Sequence, residues 1–263
     1  MINPEITQLN RDEIYRYLGL QSGSPLLHKE TGNDLRLDEQ ISRCEQTVLE
    51  TARIRCVYRI LPLSAIILDV GNSPAAGNVS DSRHDKNIPD DCAVINDSDQ
   101  SASIALHGKD IARLLDGCSE AVFMALTLGA ELERVLMKRE VTDMSDALVL
   151  DICASAAVET AADDFERKLS AELKTEDKYL TNRFSPGYGD FALSHQRPVL
   201  ELLNASRAAG ITLTPSQLMV PRKSVTAVMG ICTDVREKVL GGCGMCPLKS
   251  RCSYRSHNLR CYE

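Results

Sequence analysis

The stretch "DMSDALVLDICASAAVETAADDFERKLSAEL", residues 143–173, constrains the chain more than any other segment. It holds neither Gly nor Pro, its apolar positions recur at helical spacing, and Ala, Ser and Cys fill one stripe. This pattern predicts one long helix whose small residues let a neighbouring element pack close. A helix of that length needs a broad partner surface, and strand-like segments on both sides of it in sequence can provide one.

Upstream, "YRILPLSAIILDV" reads as strand through Ile60, Leu61, Leu63, Ile66, Ile67, Leu68 and Val70, with Pro62 marking an edge or bulge. "SASIALHG" reads as a further strand, and "KDIARLLDGC" as a helix stopped by Gly117. "EAVFMALTLGAELERVLMKRE" starts apolar, breaks at Thr127-Leu128-Gly129, and continues as an amphipathic helix with Leu132, Val135 and Leu136 on one side. Nearer the start, "RDEIYRYLGL" predicts a short helix closed near Gly19, and helical spacing recurs from Leu37 to Arg59. Residues 71–100, rich in Gly, Pro, Asn, Asp and Ser, predict turns or short edge strands.

Downstream, "SHQRPVLELLNASRAAGITLTPSQLMVPRKSVTAVMGIC" predicts a helix with Ser194 as N-cap and Pro198 in its first turn, ending before Gly210. Strand, a kink at Pro221 and strand again follow. Helices grouped between 105 and 207, with strands on both sides, predict an α+β fold: a mixed or antiparallel twisted sheet with several helices. The chain's 263 residues can bury one large domain or two small ones. There is no internal repeat, no GxGxxG and no P-loop.

A formal net charge of -7 argues against a nucleic-acid footprint, which needs clustered Lys and Arg. No uncharged apolar run approaches the roughly 18 residues of a membrane span, and "MINPEITQLNRDE" lacks a basic-then-apolar export signal. The expected location is the cytoplasm.

"RFSPGYGD", Arg183–Asp190, concentrates unusual chemistry. Pro186 fixes φ and Gly187 permits conformations a Cβ would block, so the pair holds backbone N–H and C=O groups in one arrangement. Arg183 offers a planar fork for a carboxylate or phosphate, and Tyr188 a flat face with a hydroxyl tip. Two local readings fit: a tight turn whose arginine pairs with a nearby aspartate, or a loop that receives a ligand. Glu159, among small residues of the long helix, suits either a solvated face or a pocket. His107, His195 and His257 have no catalytic partner at a recognised spacing and read as packing or surface residues.

These segments resemble the reactivation domain of cobalamin-dependent methionine synthase. Arg183, Pro186, Gly187 and Tyr188 match its Arg-x-x-Pro-Gly-Tyr loop, "LMVPRKSV" resembles its Met-x-Pro-x-x-Ser-Val segment through Pro221, Ser224 and Val225, and "SAAVETAADDFE" resembles the helix supplying a glutamate, here Glu159. The similarity runs from "RYLGL" to Gly230 and is greatest to short, free-standing relatives. It implies an activation-like domain over 1–230 that binds S-adenosylmethionine. Arg183 would pair with the methionine carboxylate, the backbone of Ser185 and Gly187 would meet the ligand's polar edges, Tyr188 would line the adenosyl pocket, and Glu159 would stand near the amino group or ribose. Where the long enzymes carry a Trp-Tyr pair, this chain has Val228 and Met229.

The resemblance implies a place in a methyltransferase system: one electron reaches an oxidised corrinoid, and methyl transfer from S-adenosylmethionine traps it reduced. The partners implied are a cobalamin-binding methionine synthase, or another corrinoid protein, and a low-potential electron donor. Positioning the methyl group needs no general acid or base, so no catalytic side chain is expected. Activation of a different corrinoid methyltransferase and a non-catalytic S-adenosylmethionine sensor are the alternatives.

Ten cysteines complete the reading. Cys44, Cys56, Cys92, Cys118 and Cys153 are scattered and suit small buried hydrophobes. Cys232, Cys243, Cys246, Cys252 and Cys261 crowd the tail 231–263, spaced Cys-x10-Cys-x2-Cys-x5-Cys before the last. Cys-x2-Cys on a Gly-rich turn brings two thiolates to one metal. Cys232, Cys243, Cys246 and Cys252, with Cys261 as an alternative fourth ligand, are the expected set, for zinc or an iron-sulfur cluster.

Overall fold

A computed structural model of the chain describes residues 2–19, 32–69, 94–96 and 102–234. In chain order it contains α1 (Arg11–Tyr17), α2 (Gly32–Thr51), β1 (Arg55–Pro62), β2 (Ile66–Asp69), β3 (Val94–Asn96), β4 (Ala102–His107), α3 (Lys109–Leu115), β5 (Glu120–Thr127), α4 (Ala130–Thr142), α5 (Met144–Lys174), β6 (Tyr179–Leu180), α6 (Gln196–Leu202), α7 (Ala205–Ala208), β7 (Thr212–Leu213), β8 (Met219–Val220) and β9 (Ser224–Cys232). The expected α+β class holds. A four-stranded sheet has the order β1-β5-β9-β6, with β6 antiparallel to β9. A three-stranded sheet, β2-β4-β3, is mixed, since β4 runs parallel to β2 and antiparallel to β3.

Strand position explains strand composition. The two inner strands, β5 and β9, are almost continuously buried, as their runs "AVFMALT" and "TAVMGIC" require, whereas β1 alternates irregularly between exposed and half-buried residues. Pro62 closes β1, where its missing N–H does no harm, and a single 3-10 turn over Leu63–Ala65 leads into β2.

Two compact units share the chain. The first comprises Met1–Val57, Ala125–Ala171 and Ala205–Val225. It contains α1, α2, α4, most of α5 and the β7–β8 hairpin. The buried stripe of α5 is Ala147, Leu150, Cys153, Ala154, Ala157, Ala161, Phe165 and Leu169, which realises the small-residue stripe read from the sequence. Asn10 caps α1 by accepting from the N–H groups of Asp12 and Glu13, and Tyr15 donates its hydroxyl to Asp38 at 2.8 Å, tying α1 to α2. The Glu5 N–H donates to Asp164 at 2.9 Å, so this carboxylate of the "DD" pair anchors the amino-terminal segment.

The second unit comprises Tyr58–Met124, Glu172–Asn204 and Thr226–Glu263. Its core includes Ile104, Leu106, Ile111, Leu114, Leu115, Phe123, Phe191, Val228 and Ile231. Here β4 and α3 form the frame on which residues 183–195 are mounted.

Three expectations shift. The helix read over Leu37–Arg59 stops at Thr51, because the Arg53 N–H turns to the carbonyl of Leu128 at 2.7 Å and "RCVYRIL" is strand-forming. Cys56 is therefore a strand residue. The N-cap expected at Ser194 moves to His195, since Leu193–His195 already form a 3-10 turn on the carbonyl of Ala192. The downstream helix also divides at Asn204, whose φ of +49° ends α6 before α7 begins. Pro221 marks the expected kink and follows a cis bond. Of residues 71–100, only β3 lies within the described residues.

Candidate ligand-binding site

The loop at 183–190 leaves the edge of β9 after Phe184, whose N–H and C=O exchange hydrogen bonds with Val228 at 3.0 and 2.9 Å. It then folds on itself. Tyr188 donates its N–H to Ser185 O at 3.2 Å, Phe191 donates to Tyr188 O at 3.0 Å, and Gly187 donates to Phe191 O at 2.7 Å. Gly187 and Gly189 take φ of +97° and +56°, which side-chain-bearing residues rarely adopt. Gly189 is further restricted, since a Cβ there would lie 2.3 Å from Asp110 Oδ2. Pro186 is buried. Backbone geometry is thus fixed at Gly187 and Tyr188, which the sequence singled out, and at Gly189 after them.

Asp190 anchors the far end. Its carboxylate accepts from the N–H groups of Lys109 at 2.7 Å and Asp110 at 3.0 Å, which are the first two residues of α3. Asp190 therefore serves as a long-range N-cap, a role usually taken by the residue just before the helix, here Gly108. Phe184 and Phe191 stack with centroids 5.9 Å apart, and Phe191 packs on His195 at 4.7 Å.

His195 closes the frame. Its Nδ1 lies 3.0 Å from the carbonyl of Ala192, and its Nε2 accepts from the His107 N–H at 2.9 Å. Both contacts are satisfied only by the neutral ring with hydrogen on Nδ1. Burial, with the neighbouring His107 as a lesser cause, holds its pKa below the ordinary value of 6.5. The expectation that His107 and His195 pack rather than react fits this arrangement, in which Asp69 takes His107 Nδ1 at 3.2 Å.

What the loop leaves exposed suits a ligand. Tyr188 is 67% exposed, although its backbone is pinned, so its ring is available as a flat face. Arg183 and Ser185 are half-buried beside it. The structure brings Arg183, Ser185, Gly187 and Tyr188 together in one turn. Glu159 belongs to the other unit, half-buried on α5 between the buried Ala156 and Ala162. It is close enough to Tyr17 to help raise that phenol to about 12, after burial and Glu13.

Ser224, which the resemblance singles out, acts within the fold of the first unit. Its hydroxyl lies 2.7 Å from Pro221 O and 2.8 Å from Thr127 Oγ1, locking the entry to β9. Beside it, Lys223 Nζ reaches Asp151 and Ser155 on α5, each at 2.8 Å.

Of the expected metal ligands, Cys232 lies within the described residues, where its sulfur is joined to that of Cys118. Cys243, Cys246, Cys252 and Cys261 lie outside them. Among the described residues, no group of three or more His, Cys, Asp or Glu side chains converges. Burial raises the thiols of Cys44, Cys56 and Cys153 to about 12, which keeps them protonated as the small hydrophobes expected. Sequence reasoning gave Cys118 no role beyond that of a small buried hydrophobe, and gave Asp190 none. For Asp190 the Gly-Asp after the loop was the available signal; for Cys118 there was none.

Residues 123–244 match the family model described as the vitamin B12 dependent methionine synthase activation domain. That part of the chain is similar to the activation domain. The solved structures include a similar fold, the crystal structure of the MetH reactivation domain bound to AdoHcy, at 14% identity and a TM-score of 0.55, covering 96% of this chain and 82% of that one. No curated protein matches the chain. The family match begins in β5 and takes in α4, α5, the loop at 183–190 and β9, so it contains every candidate ligand residue of the activation domain. Among the described residues, no helix is long and apolar enough to cross a membrane.

Proposed function

We propose that this protein binds S-adenosylmethionine at the 183–188 loop and presents its methyl group to a cobalamin-binding methionine synthase in the cytoplasm, supporting reductive remethylation of cob(II)alamin. The observation that carries the reading is the pinned turn itself: Gly187 and Gly189 at positive φ, backbone hydrogen bonds at Ser185, Gly187 and Tyr188, and an exposed tyrosine ring at its crest. A turn serving only to reverse the chain would not need an exposed aromatic ring on a fixed backbone.

The family match supports the choice of ligand, as does the AdoHcy held by the structurally similar MetH domain. In this reading Arg183 receives the methionine carboxylate and the backbone at Ser185 and Gly187 meets the polar edges. Tyr188 covers the adenosyl group. Glu159 is assigned to the amino group or ribose on the resemblance alone. The protein's own task is to bind and orient the sulfonium methyl, which is catalysis by positioning. The electron comes from a low-potential donor, and the corrinoid supplies the nucleophilic metal.

The tail 231–263 belongs to the same reading as a zinc or iron-sulfur site built from Cys232, Cys243, Cys246 and Cys252, with Cys261 as the alternative fourth ligand. A cluster could relay the electron; zinc would be structural. This cysteine spacing also favours a second reading, activation of a different corrinoid methyltransferase. Calorimetric titration with S-adenosylmethionine tests the ligand assignment. Saturable binding, weakened severalfold in Tyr188→Ala, supports it, while no binding by the intact chain refutes it.

A further inference from the structure

We propose that Leu193 is a further ligand-contact residue, an apolar surface against which the adenosyl group lies, beside Tyr188. The inference rests on the reading of the 183–188 loop as the S-adenosylmethionine site and adds a side chain to it. Among the described residues of the second unit, the exposed large hydrophobic side chains are Ile60, Ile67, Tyr188 and Leu193. Ile60 and Ile67 belong to strands β1 and β2. Tyr188 and Leu193, 67% and 40% exposed, belong instead to the segment that forms and follows the loop.

Hydrogen bonds fix where Leu193 sits. The Phe191 N–H donates to Tyr188 O at 3.0 Å and the Phe191 carbonyl accepts from the Gly187 N–H at 2.7 Å, so residues 187–191 are closed on themselves. Leu193 then opens the 3-10 turn Leu193–His195, which the His195 N–H holds by donating to Ala192 O at 3.1 Å. The chain thereby brings Leu193 back to the loop: a Cβ at Gly187 would lie 3.3 Å from Leu193 Cδ1. Leu193 thus lies against the residue that precedes Tyr188, with two fifths of its surface in water.

A single exposed leucine needs no explanation, but a leucine and a tyrosine exposed together on one tied segment do. Small-molecule sites are mostly apolar, with a few polar groups that fix orientation. Here Arg183 and the backbone at Ser185 and Gly187 are the polar part, and Tyr188 is one apolar face. The adjoining strand offers no other, since Val228, which bonds Phe184, and Met229 after it are both 0% exposed on β9. Phe191 is buried as well, packed on Phe184 and His195. Leu193 is the aliphatic side chain that this segment leaves open to a ligand.

The test titrates the full chain with S-adenosylmethionine by calorimetry. Covering the exposed part of one leucine corresponds to burying about one or two methylene groups, so Leu193→Ala should weaken binding about fourfold to fifteenfold. Leu193→Met keeps the volume and should stay within about twofold of wild type. Melting temperatures without ligand should nearly coincide for the three proteins. The contact itself is read in Leu193→Cys, where alkylation at position 193, followed by peptide mass mapping, should slow in saturating S-adenosylmethionine. A wild-type chain that binds no S-adenosylmethionine overturns the site reading on which the inference rests. Wild-type binding with equal affinity in Leu193→Ala, or alkylation at position 193 unchanged by ligand, overturns the Leu193 assignment and leaves the site reading intact. Affinity lost in step with melting temperature, and not restored by Leu193→Met, makes Leu193 a support of the fold and overturns the assignment too.

Discussion

Asp110 and Asp190 hold each other in place: the Asp110 N–H donates to Asp190 Oδ1 at 3.0 Å, and the Asp190 N–H reaches Asp110 Oδ2 at 3.4 Å. One aspartate opens helix α3, and the other ends the loop that carries Arg183 and Tyr188. The helix and the loop therefore share one set of hydrogen bonds, and a change at either reaches the other.

Replacing Asp190 with Ala removes the cap from the first two residues of α3, a loss of about 1 kcal/mol, within the usual range for an N-cap. It also frees the loop, so S-adenosylmethionine affinity should fall along with the melting temperature. Gly189→Ala should cost roughly 1–3 kcal/mol, because alanine is strained at φ +56° and its Cβ would meet Asp110. Thermal melting and calorimetric titration of both variants check this. Unchanged ligand affinity in both would separate the loop's anchoring from binding.

His195 predicts a pH dependence. Its pKa is lower folded than unfolded, so the unfolded chain binds the proton more readily. Stability from this group is complete above the ordinary value of 6.5 and is lost as pH falls below it toward the folded pKa. Protonation of Nε2 would break the bond from the His107 N–H. Urea unfolding of wild type should weaken on acidification from pH 7 to 5, and His195→Gln should show a smaller change over the same interval.

Asp146 offers a test in the first unit, whereas the proposed ligand loop belongs to the second. Its side chain is only 9% exposed and is paired with Arg139, with Arg43 more distant at 3.8 Å. Arg139→Ala leaves the carboxylate buried without its main partner and should destabilise the protein by about 1–3 kcal/mol. S-adenosylmethionine affinity at a temperature well below the melting point should not change.

Much of this was legible in the sequence, because the signals were local. The periodicity of 143–173, the apolar runs of β5 and β9, and Pro62 and Gly117 as stops each declared themselves within a few residues. The chain reversal after Thr51 did not, since it depends on Leu128 accepting the Arg53 N–H. The Pro-Gly-Tyr-Gly turn could be read as shaped and ligand-facing, but the partner of its terminal aspartate is a helix 80 residues away. Cys118 was indistinguishable from Cys44 or Cys153 for the same reason: what sets it apart is Cys232, which only folding brings to it.

The central claim is that Arg183 and the turn after it hold S-adenosylmethionine for methyl transfer to a reduced corrinoid. A reactivation assay tests it most directly, with a cob(II)alamin-loaded partner, S-adenosylmethionine and a low-potential reductant, comparing wild type with Arg183→Ala. Loss of a charged hydrogen bond to the ligand carboxylate should lower the rate at subsaturating S-adenosylmethionine by about tenfold to a hundredfold. Equal rates for the two proteins would contradict the account.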